Sequence, residues 1–129
     1  MEHPQTEAGR TQRGDAAPEM DECIKTCLEC ARLCQQARAQ LQAKQDAGDE
    51  LLALLLDCAE CCELCARWMQ RGSAFAADLC ALCATVCKTC EEACEALPGD
   101  ELLQKCAEAC RRCFDTCLRM GQAAPTLVQ

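Results

Sequence analysis

Cysteines recur at steps of three and four residues along four segments of the chain. Such steps place side chains on one face of an α-helix. Grouped thiolates select soft metals, namely Cu(I), zinc or the iron of iron–sulfur clusters. We therefore predict that every cysteine is a metal ligand: Cys23, Cys27, Cys30 and Cys34; Cys58, Cys61, Cys62 and Cys65; Cys80, Cys83, Cys87, Cys90 and Cys94; Cys106, Cys110, Cys113 and Cys117.

The composition indicates an interior that is not built from aliphatic side chains alone. The 129 residues include 17 cysteines, whereas Leu, Ile, Val and Phe together number only 21. At a net charge of −8, so small an aliphatic content is typical of chains that remain disordered. An interaction other than aliphatic packing is therefore expected to stabilise the folded chain.

The charge pattern and the N-terminal segment argue against several classes of protein. The chain is acidic and has no block of Lys or Arg, so we expect no nucleic-acid partner. The first twenty residues lack the apolar stretch of a secretory signal, and no segment resembles a membrane span. We therefore expect no membrane partner and a cytoplasmic location, where disulfides are rare. No Ser/His/Asp set or Gly-rich phosphate loop is visible, so we do not expect an enzyme.

Four helical segments must position the thiols. Breaker and capping residues divide 19–121 into four helices, between a flexible N-terminal tail at 1–18 and a C-terminal tail at 122–129. Gly72 is the predicted C-cap of the second helix, and Ser73 and Asp100 are the predicted N-caps of the third and fourth. Short loops favour antiparallel neighbours. The predicted fold is all-α, an antiparallel up-down four-helix bundle with a cysteine-lined core.

The alternating helix directions predict which cysteines share a height in the bundle. We counted about seven residues per two turns from the end where the second and third helices join. Three levels then hold four cysteines each and a fourth holds three, with Cys94 beyond them and Cys61 at their flank. In order, the levels are Cys23, Cys65, Cys80 and Cys117; Cys27, Cys62, Cys83 and Cys113; Cys30, Cys58, Cys87 and Cys110; and Cys34, Cys90 and Cys106.

The two ends of the bundle are predicted to differ. Where the first and second helices join, the cysteine stripes continue into leucines that would form an apolar plug. At the opposite end, three stripes continue into methionines. Their thioethers are either weak ligands that pass a soft ion inward or residues that fill gaps in packing. The plug residues are Leu41, Leu51, Leu55, Leu97 and Leu103, and the methionines are Met20, Met69 and Met120.

The cysteine pattern leaves open which metal is bound. The only histidine, His3, lies in the N-terminal tail, so zinc would need sites made of four cysteines. Cu(I) accepts two or three thiolates, and bridging thiolates would give roughly one ion per cysteine, or about 17 per chain. One positive charge per thiolate would also leave the interior uncharged. The alternatives are zinc or another soft metal, or a helical protein with thiol redox chemistry.

Disulfides are poorly suited to the spacing within each helix. Residues three or four apart have Cβ atoms about 5 to 6 Å from one another, whereas a disulfide needs about 3.8 Å. The odd number of cysteines also leaves at least one thiol unpaired. Disulfides between helices remain open.

The second helix carries apolar residues away from its cysteine face. Leu52 and Leu56 lie in the segment LLALLL, and Leu64 and Trp68 form a further pair four residues apart. Such a stripe indicates either self-association or additional packing within the chain.

The four cysteine-patterned segments resemble the Csp-type copper storage protein family, particularly its cytosolic branch. The resemblance covers about residues 20–120 and implies a four-helix bundle that stores many Cu(I) ions, often as a homotetramer. Copper would then be delivered by a copper chaperone or a small thiol. One departure is the segment LPGDELLQ before the fourth helix, where family members carry His-rich sequence. The matching segments are ECIKTCLECARLC, DCAECCELCARWM, DLCALCATVCKTCEEAC and KCAEACRRCFDTCLRM.

Overall fold

Four α-helices make up the fold. The computed structural model describes the backbone of residues 4–45 and 47–122, and side chains from residue 18 onward within those ranges. The helices are α1 (Pro4–Lys44), α2 (Asp49–Gln70), α3 (Ala76–Glu95) and α4 (Glu101–Gln122). The predicted all-α four-helix bundle is confirmed. Within the described ranges, no helix is both long enough and apolar enough to cross a bilayer.

The helices form a closed ring in which each contacts the helix before and after it, and α4 returns to α1. Cys23 near one end of the bundle contacts Cys117, whereas Cys34 further along α1 contacts Cys106. The opposite order of these contacts shows that α1 and α4 are antiparallel. Of the four neighbouring pairs, α3 and α4 pack most closely, and α2 and α3 least closely.

The first helix is longer than the sequence predicted. It begins at Pro4, whereas we expected a helix only from about Glu19. The segment before Glu19 is rich in Gln, Glu, Ala and Arg, which favour helix. Pro18 lies inside the helix and removes a single backbone donor there. The flexibility of 1–18 stays a prediction, and the predicted tail at 122–129 lies outside the described residues except for Gln122.

The turn after α2 matches its predicted glycine cap. Gly72 has a φ of 70°, in the left-handed region that favours glycine. Its amide donates to the Met69 carbonyl at 3.2 Å, and the Ser73 amide donates to the Trp68 carbonyl at 2.9 Å. These two bonds form a Schellman cap, which satisfies carbonyls at the end of the helix.

The predicted N-caps of α3 and α4 have different outcomes. Asp100 caps α4, because its Oδ1 accepts a hydrogen bond from the Leu103 amide at 3.0 Å. The prediction for Ser73 was wrong, since α3 begins only at Ala76 and Phe75 precedes it. Ser73 already belongs to the cap of α2, and its Oγ accepts a hydrogen bond from the Phe75 amide at 3.1 Å. It therefore shapes the turn before α3.

Small and hydroxyl side chains hold α4 against its neighbours. Between α1 and α4, the buried hydroxyls of Thr26 and Thr116 lie 2.6 Å apart. Between α3 and α4, the last turn of α4 comes so close that a Cβ added at Gly121 would lie 2.9 Å from the Cα of Ala81. Glycine at this position therefore permits the close approach of the two helices.

Candidate metal centre

The cysteine side chains fill the middle of the bundle. Each cysteine lies in the described part of the chain, and each except Cys61 is completely buried. Steps of three and four residues bring these side chains to the inner face of every helix. Cys61 is half-buried on the flank of α2. The predicted thiol-lined core is therefore present, with Cys61 at its edge.

Sulfur–sulfur distances support the predicted levels, and Cys90 lies within 4.8 Å of Cys34 and Cys106 in the fourth. In each of the four levels, at least one pair of thiols from different helices is in contact. The Sγ–Sγ distances are 3.7 Å for Cys23–Cys117 and 3.0 Å for Cys65–Cys80; 3.6 Å for Cys27–Cys113, 3.6 Å for Cys62–Cys83 and 3.7 Å for Cys62–Cys113; 3.6 Å for Cys30–Cys110, 3.9 Å for Cys30–Cys58 and 3.9 Å for Cys58–Cys87; and 3.6 Å for Cys34–Cys106.

Contacts between levels join the thiols into a column along the bundle axis. Cys117 links the first two levels through Cys27 at 3.6 Å. Cys87 links the second and third levels through Cys62 at 3.6 Å and Cys83 at 3.9 Å. The third and fourth levels approach within 4.8 Å, where Cys34 neighbours Cys30, Cys58 and Cys110.

Several sets of four buried thiols have the spacing of metal sites. In each set, the sulfur atoms all lie within 4.8 Å of one another. With a metal–sulfur bond of about 2.3 Å, ligands are about 4.0 Å apart around a trigonal ion and about 3.8 Å around a tetrahedral one. The sets share members, so one sulfur can bridge two sites. They include Cys27, Cys65, Cys83 and Cys117; Cys30, Cys58, Cys62 and Cys87; Cys30, Cys34, Cys58 and Cys110; Cys34, Cys90, Cys106 and Cys110; and Cys62, Cys83, Cys87 and Cys113.

All the thiols are free. Even the 3.0 Å contact between Cys65 and Cys80 is well beyond the roughly 2.05 Å of a disulfide bond. The interior therefore presents its sulfur atoms as separate potential ligands.

Hydrogen bonds between thiols shift their pKa values in opposite directions. Hydrogen bonding with Cys106 raises the pKa of Cys34 above its ordinary value. Hydrogen bonding with Cys110, and then with Cys34, lowers the pKa of Cys106. Hydrogen bonding with Cys117, and to a smaller extent with Cys27, lowers the pKa of Cys65 to about 6. Thiols with a raised pKa hold their protons at neutral pH, so a metal must displace those protons in order to bind.

The methionine end places one thioether beside the thiols. Met69 is buried, and its Sδ lies 3.8 Å from the Sγ of Cys80. Met20 and Met120 are partly exposed and pack against the buried core. The Met69 sulfur thus extends the column beyond its first level, while an ion-guiding role for the three methionines stays a prediction.

The leucine end largely forms the predicted plug. Leu41, Leu55 and Leu103 are buried, and Leu51 packs against them as a half-buried residue. The prediction for Leu97 was wrong, because its side chain is 42% exposed. Since α3 ends at Glu95, the backbone no longer follows the helical periodicity that would have directed Leu97 inward.

The apolar residues on the outer flanks of α2 are only half-buried. This holds for Leu52, Leu56, Leu64 and Trp68. Leu52 packs against the core, and the guanidinium of Arg71 lies 5.9 Å from the centre of the Trp68 ring. Part of the stripe therefore packs within the chain, and self-association stays a prediction.

Known proteins share both the sequence pattern and the fold. The sequence profile described as "Copper storage protein" matches residues 16–122. The uncharacterized cysteine-rich protein YhjQ of Bacillus subtilis strain 168 is 31% identical over 101 residues, which cover 77% of this chain and 93% of that protein.

Solved structures that resemble this fold support the same family assignment. The protein Nmul_A1745 of Nitrosospira multiformis is 28% identical with a TM-score of 0.78, over 84% of this chain and 99% of that one. The Cu(I)-bound copper storage protein BsCsp3 is 28% identical with a TM-score of 0.72, over 80% of this chain and 98% of that one. This cysteine-lined bundle belongs to the copper storage protein family.

Proposed function

We propose that this protein stores copper, for supply or detoxification, by binding many Cu(I) ions through thiolates inside its bundle. The column of buried sulfur atoms, with most neighbours 3.6 to 3.9 Å apart through the first three levels and within 4.8 Å at the fourth, carries this proposal. The Cu(I)-bound state of BsCsp3 supports it. The protein acts as a container rather than an enzyme, and every cysteine from Cys23 to Cys117 serves as a ligand.

Charge and coordination favour Cu(I) over zinc as the stored ion. Zinc takes four ligands in a closed site, so sharing thiolates between many zinc ions would build up positive charge in a buried space. Cu(I) needs only two or three thiolates and brings one charge per ion. Roughly one ion per cysteine, about 17 per chain, then leaves the interior neutral.

The proposal extends to location and assembly. Free thiols throughout the core suit the reducing conditions of the cytoplasm. The half-buried apolar flanks of α2 support a homo-oligomer, and the family resemblance suggests a tetramer. Copper arrives from a copper chaperone or a small thiol. Light scattering at successive dilutions measures the oligomeric state of the full chain.

A competitive titration tests the storage function. The reduced full-length protein is titrated anaerobically with Cu(I) in the presence of a strong Cu(I) chelator, and separately with Zn²⁺. We expect Cu(I) to saturate near one ion per cysteine, about 17 per chain. Protein whose thiols have been alkylated under denaturing conditions is the control and should bind no Cu(I). Weak Cu(I) binding together with tight Zn²⁺ binding near one ion per four cysteines would instead favour a zinc protein.

The methionine end is proposed to guide ions inward. Replacing Met20, Met69 and Met120 together by Leu removes three thioethers while keeping apolar side chains of similar size. We expect slower Cu(I) loading with the same final number of ions, measured by the rise of Cu(I)–thiolate absorption after rapid mixing. Loading at the rate of the unsubstituted protein would show that the methionines serve packing alone.

Copper affinity should increase with pH. Hydrogen bonding raises the pKa of Cys34, so this thiol is protonated at neutral pH and loses its proton when it binds a metal. Raising the pH therefore strengthens binding and lowering it weakens binding, about tenfold per pH unit for each proton released. Competitive titrations at several pH values, corrected for protonation of the chelator, give the slope. An affinity independent of pH would contradict coordination by thiols that hold protons.

A further inference from the structure

Cys61 differs from every other cysteine in its surroundings. In the sequence, Cys61 lies among Cys58, Cys62 and Cys65, whose side chains face the core. Its own side chain lies on the flank of α2 that faces α3. It is half-buried, whereas all the other thiols are completely buried. Solvent therefore reaches Cys61 more readily than any other thiol of the chain.

A groove on the protein surface leads to Cys61 between α2 and α3. Leu64 of α2 and Leu79 and Val86 of α3 form its apolar walls. Asp57 and Glu60, four residues and one residue before Cys61, also line the groove. The groove opens to solvent, so a small complex in solution can approach the Cys61 sulfur.

The groove follows the boundary between α2 and α3, whose backbones approach each other closely at fewer positions than those of any other neighbouring pair. Helical periodicity explains the difference. The flank of α2 towards α1 carries the buried alanines Ala59 and Ala66, whereas its flank towards α3 carries Leu54 and Cys61. Larger side chains hold two helices further apart than alanine does.

The inner side of Cys61 connects with the thiol column through Cys83. Cys83 directly follows the groove residue Leu82 on α3. Its Sγ lies 3.6 Å from that of Cys62, the residue next to Cys61. Interaction with Cys83 is also the largest cause of the raised pKa of Cys61. Cys83 is completely buried and belongs to two of the four-thiol sets, one with Cys27 and one with Cys62. An ion that reaches Cys83 is therefore already within the predicted metal sites.

We propose that Cys61 receives Cu(I) from a small thiol complex and passes it between α2 and α3 to Cys83. This inference rests on the proposed storage function and adds a route into the store. A copper–sulfur bond to Cys61 forms as the bond to the donor thiolate breaks, and the Cys61 proton passes to the departing donor. Copper remains Cu(I) throughout. The Cys83 sulfur then displaces Cys61, and the proton that leaves the Cys83 thiol returns to the Cys61 sulfur.

Rapid mixing of the full-length apo protein with one equivalent of the Cu(I)–glutathione complex tests this route. We expect the Cys61→Ser variant to load about two- to threefold more slowly, because the methionine end still admits ions as a parallel route. The control Ala53→Ser introduces the same hydroxyl at an exposed position of α2 and should load at the rate of the unsubstituted protein. Equal rates for the two variants would overturn the route.

Selective alkylation provides a second measurement without a substitution. One equivalent of iodoacetamide added to the native apo protein should modify Cys61 first, which peptide mass analysis verifies. The modified protein should load as slowly as Cys61→Ser, and loading at the original rate would overturn the route. If the unsubstituted protein bound no Cu(I) at all, the storage function and this route would both fail. Normal copper capacity with unchanged rates would overturn the route alone.

Discussion

The leucine end and the thiol-lined middle of the bundle are both buried, but they stabilise the protein by different means. Leu55 and Leu103 contribute by removing apolar surface from water, at about 25 cal/mol per Å². Cysteine removes less apolar surface, so the middle gains less stability in this way. The leucine end therefore helps the bundle to fold without metal, while the thiols become strongly stabilising only when they bind ions.

The largest expected effect is the stabilisation of the protein by copper. Each ion bound only by the folded state adds about 4 kcal/mol when free ligand is a thousandfold above its dissociation constant. Urea unfolding followed by circular dichroism should show a helical apo protein and a much higher midpoint for the loaded one. An apo protein that is a coil would contradict independent folding through the leucine end. Equal midpoints would contradict stabilisation through the thiols.

The next largest effect is expected at the leucine end. Leu55 is completely buried, so Leu55→Ala should lower the free energy of unfolding of the apo protein by about 2 to 5 kcal/mol. Its Cu(I) capacity should not change, because no sulfur is lost. Leu82→Ala is the matched control, since Leu82 is 55% exposed, and should change stability by less than about 0.5 kcal/mol. A loss of capacity in Leu55→Ala would show that the two regions are not separable.

The smallest effect is expected at the start of α4. Asp100→Ala removes the cap on the Leu103 amide and should lower the unfolding midpoint slightly, whereas Asp100→Asn keeps a capping oxygen. The hydrogen bond from the Leu103 amide lowers the pKa of Asp100. Its contribution is therefore present above the unfolded pKa and is lost as the pH falls through the folded one. Equal midpoints for Ala and Asn variants at neutral pH would contradict a capping role.

Cysteine spacing predicted most of the fold and of the site. A stripe with steps of three and four residues determines which face of a helix is buried, and alternating directions then place Cys23 beside Cys117. The spacing alone does not reveal the handedness of the ring. It therefore left open that the flank of α2 bearing Cys61 faces α3, where Cys83 and the groove lie.

Predictions were less successful where helices end. Ser73, directly after Gly72, can either complete the C-terminal cap of α2 or act as the N-cap of α3. The Schellman bond from Ser73 to Trp68 favours the first role, so α3 starts later. The prediction that Leu97 is buried in the plug was wrong for a related reason. Helical periodicity no longer predicts which way a side chain points once the helix has ended at Glu95. Local backbone hydrogen bonds decide such positions.

Gly121 offers a way to change the width of the methionine end without removing any sulfur. An alanine there would place its Cβ 2.9 Å from the backbone of Ala81, so the last turn of α4 would have to move away from α3. Met120, the adjacent residue, would move with it. Side chains of increasing size at position 121 would thus form a graded series that tests whether the opening of this end sets the rate of copper exchange.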